Sequence, residues 1–444
     1  MRLRLSDLVR LTGGEHLGPD VEIRDLNHDS RQVKPGALFV ALPGERVDGH
    51  DFVGSALHNG AVAALVQRPM DGNFPQLVVA DARAAMGQIA GYWRAQLPVR
   101  MVGITGSNGK TTVKEMTAAV LSVAGPTWST QGNYNNEIGL PLTLAALDVG
   151  HRYAVLEMGA ARAGDIRYLA EMAQPQVGVV TNAGPAHLET MGSIEGVARI
   201  KAEIYAALPE DGVAIINADD RFAGFWRELA GPRRVISFGL TSGAEVRGAL
   251  EQGRASITTV QGEFPFRPAL PGRHNFINAL AAMAVNEAFG LPAEPAIAAL
   301  EGMIGLPGRL QLKHHASGWS LIDDTYNANP ASLYAGLQVL ADLGGERWLV
   351  LGDMAELGSD SEKLHAEMGQ AAADLGVRRM FCVGPSSRYS CAAFGGGGRH
   401  FESHAELLEQ LVELVHPGVT CLVKGSRSMA MEQIVSGLLG GGRG

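Results

Sequence analysis

Short, continuous apolar runs alternate along this chain with longer stretches in which apolar residues return every third or fourth position. The runs read as buried strands, and the periodic stretches as helices packed on a sheet. In residues 1–97 the runs 37–42, 61–66 and 77–80 predict strands, and 51–59 and 82–97 predict helices, together a small α/β unit. From 98 to 308, strands are expected at 99–104, 153–158, 177–182, 213–217 and 235–238, with helices near 137–147, 165–173 and 194–208. This alternation implies a largely parallel sheet with helices on its faces. Residues 244–270 differ, because Ser256, Ile257, Thr258, Thr259 and Val260 crowd β-branched side chains together, and antiparallel strands are expected there. Two helices, 275–289 and 293–303, end at Gly290-Leu291-Pro292 and Leu306-Pro307-Gly308. Residues 309–444 alternate again, with strands at 319–322, 348–351, 380–383 and 420–423. The expected fold is therefore α/β in three domains, 1–97, 98–308 and 309–444.

Composition narrows this picture. A length of 444 residues suits about three domains of roughly 150 residues, and 46% hydrophobic residues suffice for their cores. A formal net charge of −9 argues against a nonspecific nucleic-acid binder, which needs a basic field. The first residues contain no apolar signal core, and no apolar run approaches a membrane span, so a cytoplasmic protein without membrane insertion is expected. Cys382, Cys391 and Cys421 form no C-x-x-C pair, and no disulfide or thiolate metal site is expected.

The richest stretch is Gly106-Ser107-Asn108-Gly109-Lys110-Thr111-Thr112, between an expected strand and an expected helix. Backbone N–H groups at a helix start attract phosphate, Lys110 can reach terminal phosphates, and the Thr111 hydroxyl can hold Mg²⁺. The spacing G-x-x-G-K-T-T is shorter than the common phosphate loop, since Ile104 stands where that pattern needs glycine. Glu157, at the end of a neighbouring strand, is placed to take Mg²⁺ directly or through water. His187 follows another strand end and is either a metal ligand or an ordinary solvated histidine. Lys201 falls on the apolar stripe of its helix with Val197, Ala198, Ile204, Tyr205 and Leu208. Ionised and unpaired there it would cost several kcal/mol, so it must snorkel to water, pair with an acid such as Glu203, or change its chemistry. Asn275 and Asn278 lie one helical turn apart and can face one ligand, although Asn275 serves equally well as a cap. Arg309 stands beside the Pro307-Gly308 boundary, where it can close over phosphate or remain solvated. Loops 323–330, 351–358 and 424–427 each follow an apolar strand, and a parallel sheet would bring them to one edge. In the first unit the polar loops 29–36 and 43–50 also stand beside expected strands, and solvated turns explain them as well as binding does.

These residues fall into stretches that resemble the Mur ligase family of peptidoglycan synthesis over nearly the whole chain. They are T-G-S-N-G-K-T-T, G-N-Y-N-N-E-I-G (132–139), L-E-M-G-A, H-N-F-I-N-A-L-A-A, P-G-R-L and D-D-T-Y-N-A-N-P, in the family's order. Within the family, E-M-G-A, Y-N-A-N-P and L-G-D-M-A-E-L-G are similar to the branch that joins D-alanyl-D-alanine to a UDP-N-acetylmuramoyl-tripeptide. The D-N-P-R stretch of the branch that adds the third amino acid is absent. The resemblance implies a first domain for the nucleotide-sugar peptide, where D-S-R-x-V-x-P-G-x-L-F puts Ser30 and Arg31 at the uridine nucleotide. It implies a central parallel-sheet ATPase domain with ATP and Mg²⁺, and a Rossmann-like last domain that brings in the dipeptide. It further implies ATP contacts at Gly106, Ser107, Asn108, Gly109, Lys110, Thr111, Thr112, Asn275, Arg309 and, in preference to Asp323, Asp324. Substrate contacts follow at Asn136, Asn327 and Asn329. Thr111, Glu157, His187 and a carbamylated Lys201 would hold Mg²⁺, and Lys110, Lys201 and His187 would serve catalysis. The implied chemistry is amide formation through an acyl phosphate, by a monomer, with no nucleic-acid partner. Another ligase of the family, a folylpolyglutamate synthase or a regulatory NTPase are the competing readings.

Overall fold

The structure, a computed structural model, describes residues 1–44, 47–185, 188–251 and 254–440. Its main sheets fall in three successive stretches of chain. The first has the strand order Glu15–Leu17, Gln76–Val78, Ala61–Val66, Ala37–Val40, Asp25–Asn27, parallel except for its first pair. A small antiparallel pair, Leu3–Arg4 with Glu22–Ile23, lies beside it. These short edge strands and the helix Leu5–Thr12 are additions to the elements expected from sequence. The edge strands run for only two or three residues, too few for a period to show, whereas Leu5–Thr12 spans eight residues and buries Leu5 and Leu8. The helix expected at 51–59 begins as a 3₁₀ turn, Gly49–Phe52, because the Asp48 carboxylate accepts the His50 N–H and tightens the start.

The central sheet has nine strands in the order Gly262–Phe266, Arg254–Thr259, Val246–Glu251, Arg234–Gly239, Val213–Asn217, Val177–Val180, Arg100–Thr105, Tyr153–Glu157, Thr127–Ser129. Its first two pairings are antiparallel and the rest parallel, so the expected change of character after 244 is real. Val177–Val180 and Tyr153–Glu157 are buried along their whole length, as strands covered on both faces must be. Lys110–Ser122, Arg273–Ala288 and Ala293–Glu301 pack on one face around Val113, Val155 and Phe276. Asp165–Ala173 and Ile194–Ala206 cover the other. The chain leaves Arg100–Thr105 toward Tyr153–Glu157 on one side and later returns to Val177–Val180 on the other. That reversal opens a crevice at the C-terminal ends of the three strands, where the glycine-rich turn lies.

The third sheet runs Gln311–His314, Ser320–Asp324, Val419–Lys424, Glu346–Gly352, Arg379–Val383, Gly398–Phe401, parallel except for its first pair. The expected loops after Asp324, Gly352 and Lys424 therefore share one edge. Among the described residues no helix is long and apolar enough to cross a membrane.

The helix Ala82–Ala95 of the first unit packs on Gly139–Ala145 and Asp165–Ala173 of the second. At this seam the buried Arg94 guanidinium donates to the carbonyls of Ala173 (2.7 Å), Gln174 (3.2 Å) and Leu97 (3.3 Å). It stands at the C-terminal end of Asp165–Ala173, where a cation meets the negative end of the helix dipole. Arg94→Ala strands these carbonyls without water and should lower stability by about 3 kcal/mol. Thermal melting checks this; Arg94→Lys should recover only part, because an ammonium cannot reproduce the planar fork.

Candidate active site

The turn 106–109 joins the strand Arg100–Thr105 to the helix Lys110–Ser122. Gly106 (φ 147°) and Gly109 (φ 80°) adopt backbone conformations that side chains resist. A Cβ on Gly106 would strike Thr181 Oγ1, and one on Gly109 would lie 2.7 Å from Asn278 Oδ1. The neighbouring strand end pins the turn. Ser107 N–H donates to the Asn182 carbonyl (3.0 Å), Asn108 N–H to Asn182 Oδ1 (3.0 Å), and Thr181 Oγ1 donates to the Asn108 carbonyl (2.6 Å). Helix geometry leaves the N–H groups that follow without intrahelical acceptors and free for an anion.

Lys110 folds back so that Nζ donates to the Gly106 carbonyl at 2.8 Å. Burial lowers its pKa, the Glu157 carboxylate opposes that, and Arg309 adds to it. Thr111 Oγ1 donates to Glu157 Oε2 at 2.7 Å and accepts from Arg309 Nη2 at 2.7 Å. The buried Glu157 also accepts from Asn135 Nδ2 at 2.8 Å, and its own N–H donates to Thr130 Oγ1 at 3.0 Å. Thr111 and Glu157 are hard oxygen donors that fit Mg²⁺, which commonly takes one or two protein oxygens and completes its shell with phosphate and water. Among the described residues, no three His, Cys, Asp or Glu side chains converge as a closed metal site.

The third unit closes over this turn. Arg309 lies 4.0 Å over the Tyr326 ring, and Asn329 donates its amide to Asn108 Oδ1 at 2.7 Å. Asn329 also caps the helix Pro330–Asp342, with Oδ1 accepting the Ser332 N–H at 2.9 Å, so a helix start delivers it at a defined angle. Successive residues on a strand face opposite ways, which separates the two aspartates. Asp324 borders the cleft and accepts from Leu310 N–H and Lys424 Nζ, whereas Asp323 turns to Lys313 (2.9 Å) and Thr325 (2.7 Å). Asn327 borders it too, its carbonyl accepting from Lys424 Nζ at 2.9 Å. Asn275 is buried and bonded to the Pro271 carbonyl (2.7 Å) and to Asn278 (3.3 Å). It does not cap its helix, since that position belongs to Gly272.

The whole encloses a cleft of about 1500 Å³ that brings together Ser107 through Thr112, Asn136, Glu157, Asn275, Arg309, Asp324, Asn327 and Asn329. Ser30 and Arg31 stand outside it, in the first unit. The Ser30 carbonyl accepts from Asn59 (2.8 Å), and Arg31 forms two bonds to Asp29 (2.9 and 2.8 Å), holding that carboxyl well below its usual range. His187 lies outside the described residues. Lys201 is 2% exposed, which removes the snorkelling alternative. Glu203, its possible counter-ion, spends its carboxylate on the N–H groups of Gly164 (2.9 Å) and Arg167 (3.1 Å). Burial, with the charge of Lys110 adding to it and Asp165 and Glu203 opposing, brings the Lys201 pKa down to about 7. Asn135 was not singled out from sequence although it adjoins Asn136; Asn136 instead turns Oδ1 to the Gly139 N–H at 2.9 Å. Which of two adjacent asparagines reaches Glu157 depends on the path of their loop.

A glycine-rich turn at a sheet's switch point, an acid on the adjoining strand and an arginine from a following α/β unit have the make-up of a nucleoside-triphosphate site. Family models match in chain order: "Mur ligase family, catalytic domain" over residues 22–94, "Mur ligase middle domain" over 104–286, and "Mur ligase, glutamate ligase domain" over 308–427. The chain belongs to the Mur ligase family. It is 42% identical over 442 residues to the UDP-N-acetylmuramoyl-tripeptide–D-alanyl-D-alanine ligase of Escherichia coli K12, covering 98% of each chain. Among solved structures it is similar to MurF from Acinetobacter baumannii (37% identity, TM-score 0.92, 99% of each chain). It is also similar to the MurF ligase of Thermotoga maritima in complex with ADP (28% identity, TM-score 0.85, 94% of this chain and 97% of that one).

Gly109→Ala places about 1–3 kcal/mol of backbone strain, plus the Asn278 collision, on the turn itself. Calorimetry should show affinity for a non-hydrolysable ATP analogue lowered about tenfold or more, with the far-ultraviolet circular dichroism unchanged.

Proposed function

We propose that this chain joins the amine of D-alanyl-D-alanine to the terminal carboxyl of a UDP-N-acetylmuramoyl-tripeptide at the expense of ATP, acting as a monomer of three domains, 1–97, 98–308 and 309–444. The observation that carries the reading is the Thr111–Glu157–Arg309 cluster at the phosphate loop, in which two successive units of the chain meet. A peptide carboxylate oxygen attacks the γ-phosphorus, and the bond to the ADP oxygen breaks. The amine then attacks the acyl carbon, the new C–N bond forms, phosphate leaves, and the amine's proton passes to solvent. Lys110, Arg309 and the N–H groups at the start of Lys110–Ser122 face the oxygens on which negative charge gathers. Gly106, Ser107, Asn108, Gly109 and Thr112 shape the phosphate cradle, and Asn275 and Asp324 hold the rest of the nucleotide. Ser30 and Arg31 hold the uridine nucleotide, and Asn136, Asn327 and Asn329 the peptide and dipeptide. Thr111 would hold one Mg²⁺, and Glu157 and His187, helped by a carbamylated Lys201, would hold a second; bound there, the metal would neutralise phosphate charge. For Lys201 the support is its burial: a pKa of about 7 keeps a large share of the amine neutral, the form that adds CO₂, and the product is an anion.

Two outcomes test the reading. Phosphate release should require ATP, peptide and dipeptide together and should yield ADP, and Lys110→Ala should abolish it; AMP and pyrophosphate as products would reject the acyl phosphate. Lys201→Ala should be nearly inactive, with acetate restoring part of the rate by entering the vacated space. Full activity of that variant in CO₂-depleted buffer would remove the carbamate from the mechanism.

A further inference from the structure

A second lysine is as deeply buried as Lys201 and takes no part in the chemistry above. Lys114 lies one helical turn beyond Lys110 and is 1% exposed among Val113, Met116 and Thr117. Its ammonium donates to the Thr130 carbonyl at 2.5 Å and pairs with Glu115 Oε1 at 2.8 Å. A buried ammonium is costly to desolvate, and packing alone would be met by methionine or leucine. The charge must therefore be judged by what it holds.

What it holds is the base of the Glu157 site. Thr130 is wholly buried; its N–H donates to the Val155 carbonyl at 3.1 Å, and its Oγ1 accepts the Glu157 N–H at 3.0 Å. Five residues on, Asn135 grips Glu157 Oε1, and its carbonyl accepts the Gly159 N–H at 2.8 Å. Two of the three side-chain hydrogen bonds to Glu157, one on its backbone and one on its carboxylate, thus belong to the segment 130–135, and Lys114 ties the start of that segment to the phosphate-loop helix. The same helix carries Thr111, which meets the other Glu157 oxygen. We propose that Lys114 is a positioning residue for Glu157, keeping the carboxylate in register with Thr111 and the divalent cation of the nucleotide. Lys114 does not line the cleft. The proposal rests on the reading of Glu157 as a cation ligand.

The readout is the gain in affinity for a non-hydrolysable ATP analogue between EDTA and saturating Mg²⁺, measured by calorimetry. Outer partners of a metal ligand commonly set metal affinity by about 10- to 100-fold. Lys114→Met and Thr130→Val cut the connection at different points, and each should reduce the Mg²⁺-dependent gain by about tenfold or more, leaving affinity in EDTA within about threefold of the original. Glu157→Gln is the reference. If it leaves the Mg²⁺-dependent gain intact, the reading of Glu157 as a ligand fails. If it removes the gain while Lys114→Met keeps it, or if Lys114→Met weakens binding equally in EDTA and Mg²⁺, the positioning role is overturned. Should Lys114→Met not fold, Lys114→Gln, which removes the charge while keeping a polar side chain, decides by the same comparison.

Discussion

A carboxylate held out of water at the C-terminal end of a central strand is the constraint on which the rest of this site depends. Glu157 is 2% exposed, and an ionised carboxylate in such a place is tolerable only when its oxygens are bonded and positive charge lies near. Thr111 and Asn135 supply the bonds, and Lys110 and Arg309 bring the charge. These four residues come from the phosphate-loop helix, the loop after Thr127–Ser129 and the start of the third unit. Satisfying one acid thus draws together segments far apart in the chain. The cations suit a polyphosphate, and the acid's oxygens suit a divalent ion carried with it.

The same economy recurs elsewhere. Asn329 ends a loop, starts a helix and contacts the phosphate loop at once, so the stability of Pro330–Asp342 and the angle at which the third unit meets the nucleotide site are one property. Asp324 and Lys424 stand on adjacent parallel strands in register, and their buried pair fixes the floor of the cleft where the third sheet meets it. At the other seam Arg94 joins the first unit to the second through main-chain carbonyls instead of through an acid. That arrangement asks for a defined backbone position on both sides of the seam.

Much of this was legible in the residues alone. Arg100–Thr105 and Lys110–Ser122 announced themselves by an apolar run, a glycine turn and a helical period, and Lys201 by standing on an apolar stripe. The first unit is less legible, because strands of two or three residues such as Glu22–Ile23 and Asp25–Asn27 are defined by their neighbours and carry no period of their own. The arc of polar loops in the third unit was legible only conditionally, on the sheet being parallel, which it is.

Local chemistry by itself marked the turn proposed to take phosphate, because a glycine turn between strand and helix and the lysine after it lie within a few residues of one another. It also determined the α/β alternation, since periodicity is a local record of which faces are buried. Only the tertiary structure decided which partners meet. It chose Asp324 over Asp323 for the cleft through strand alternation, and Asn135 over Asn136 for Glu157 through a loop's path. It also turned Glu203 away from Lys201 and toward the backbone of a neighbouring helix. Each of those choices depends on a distance between segments that are remote in sequence, and distance of that kind is set by packing.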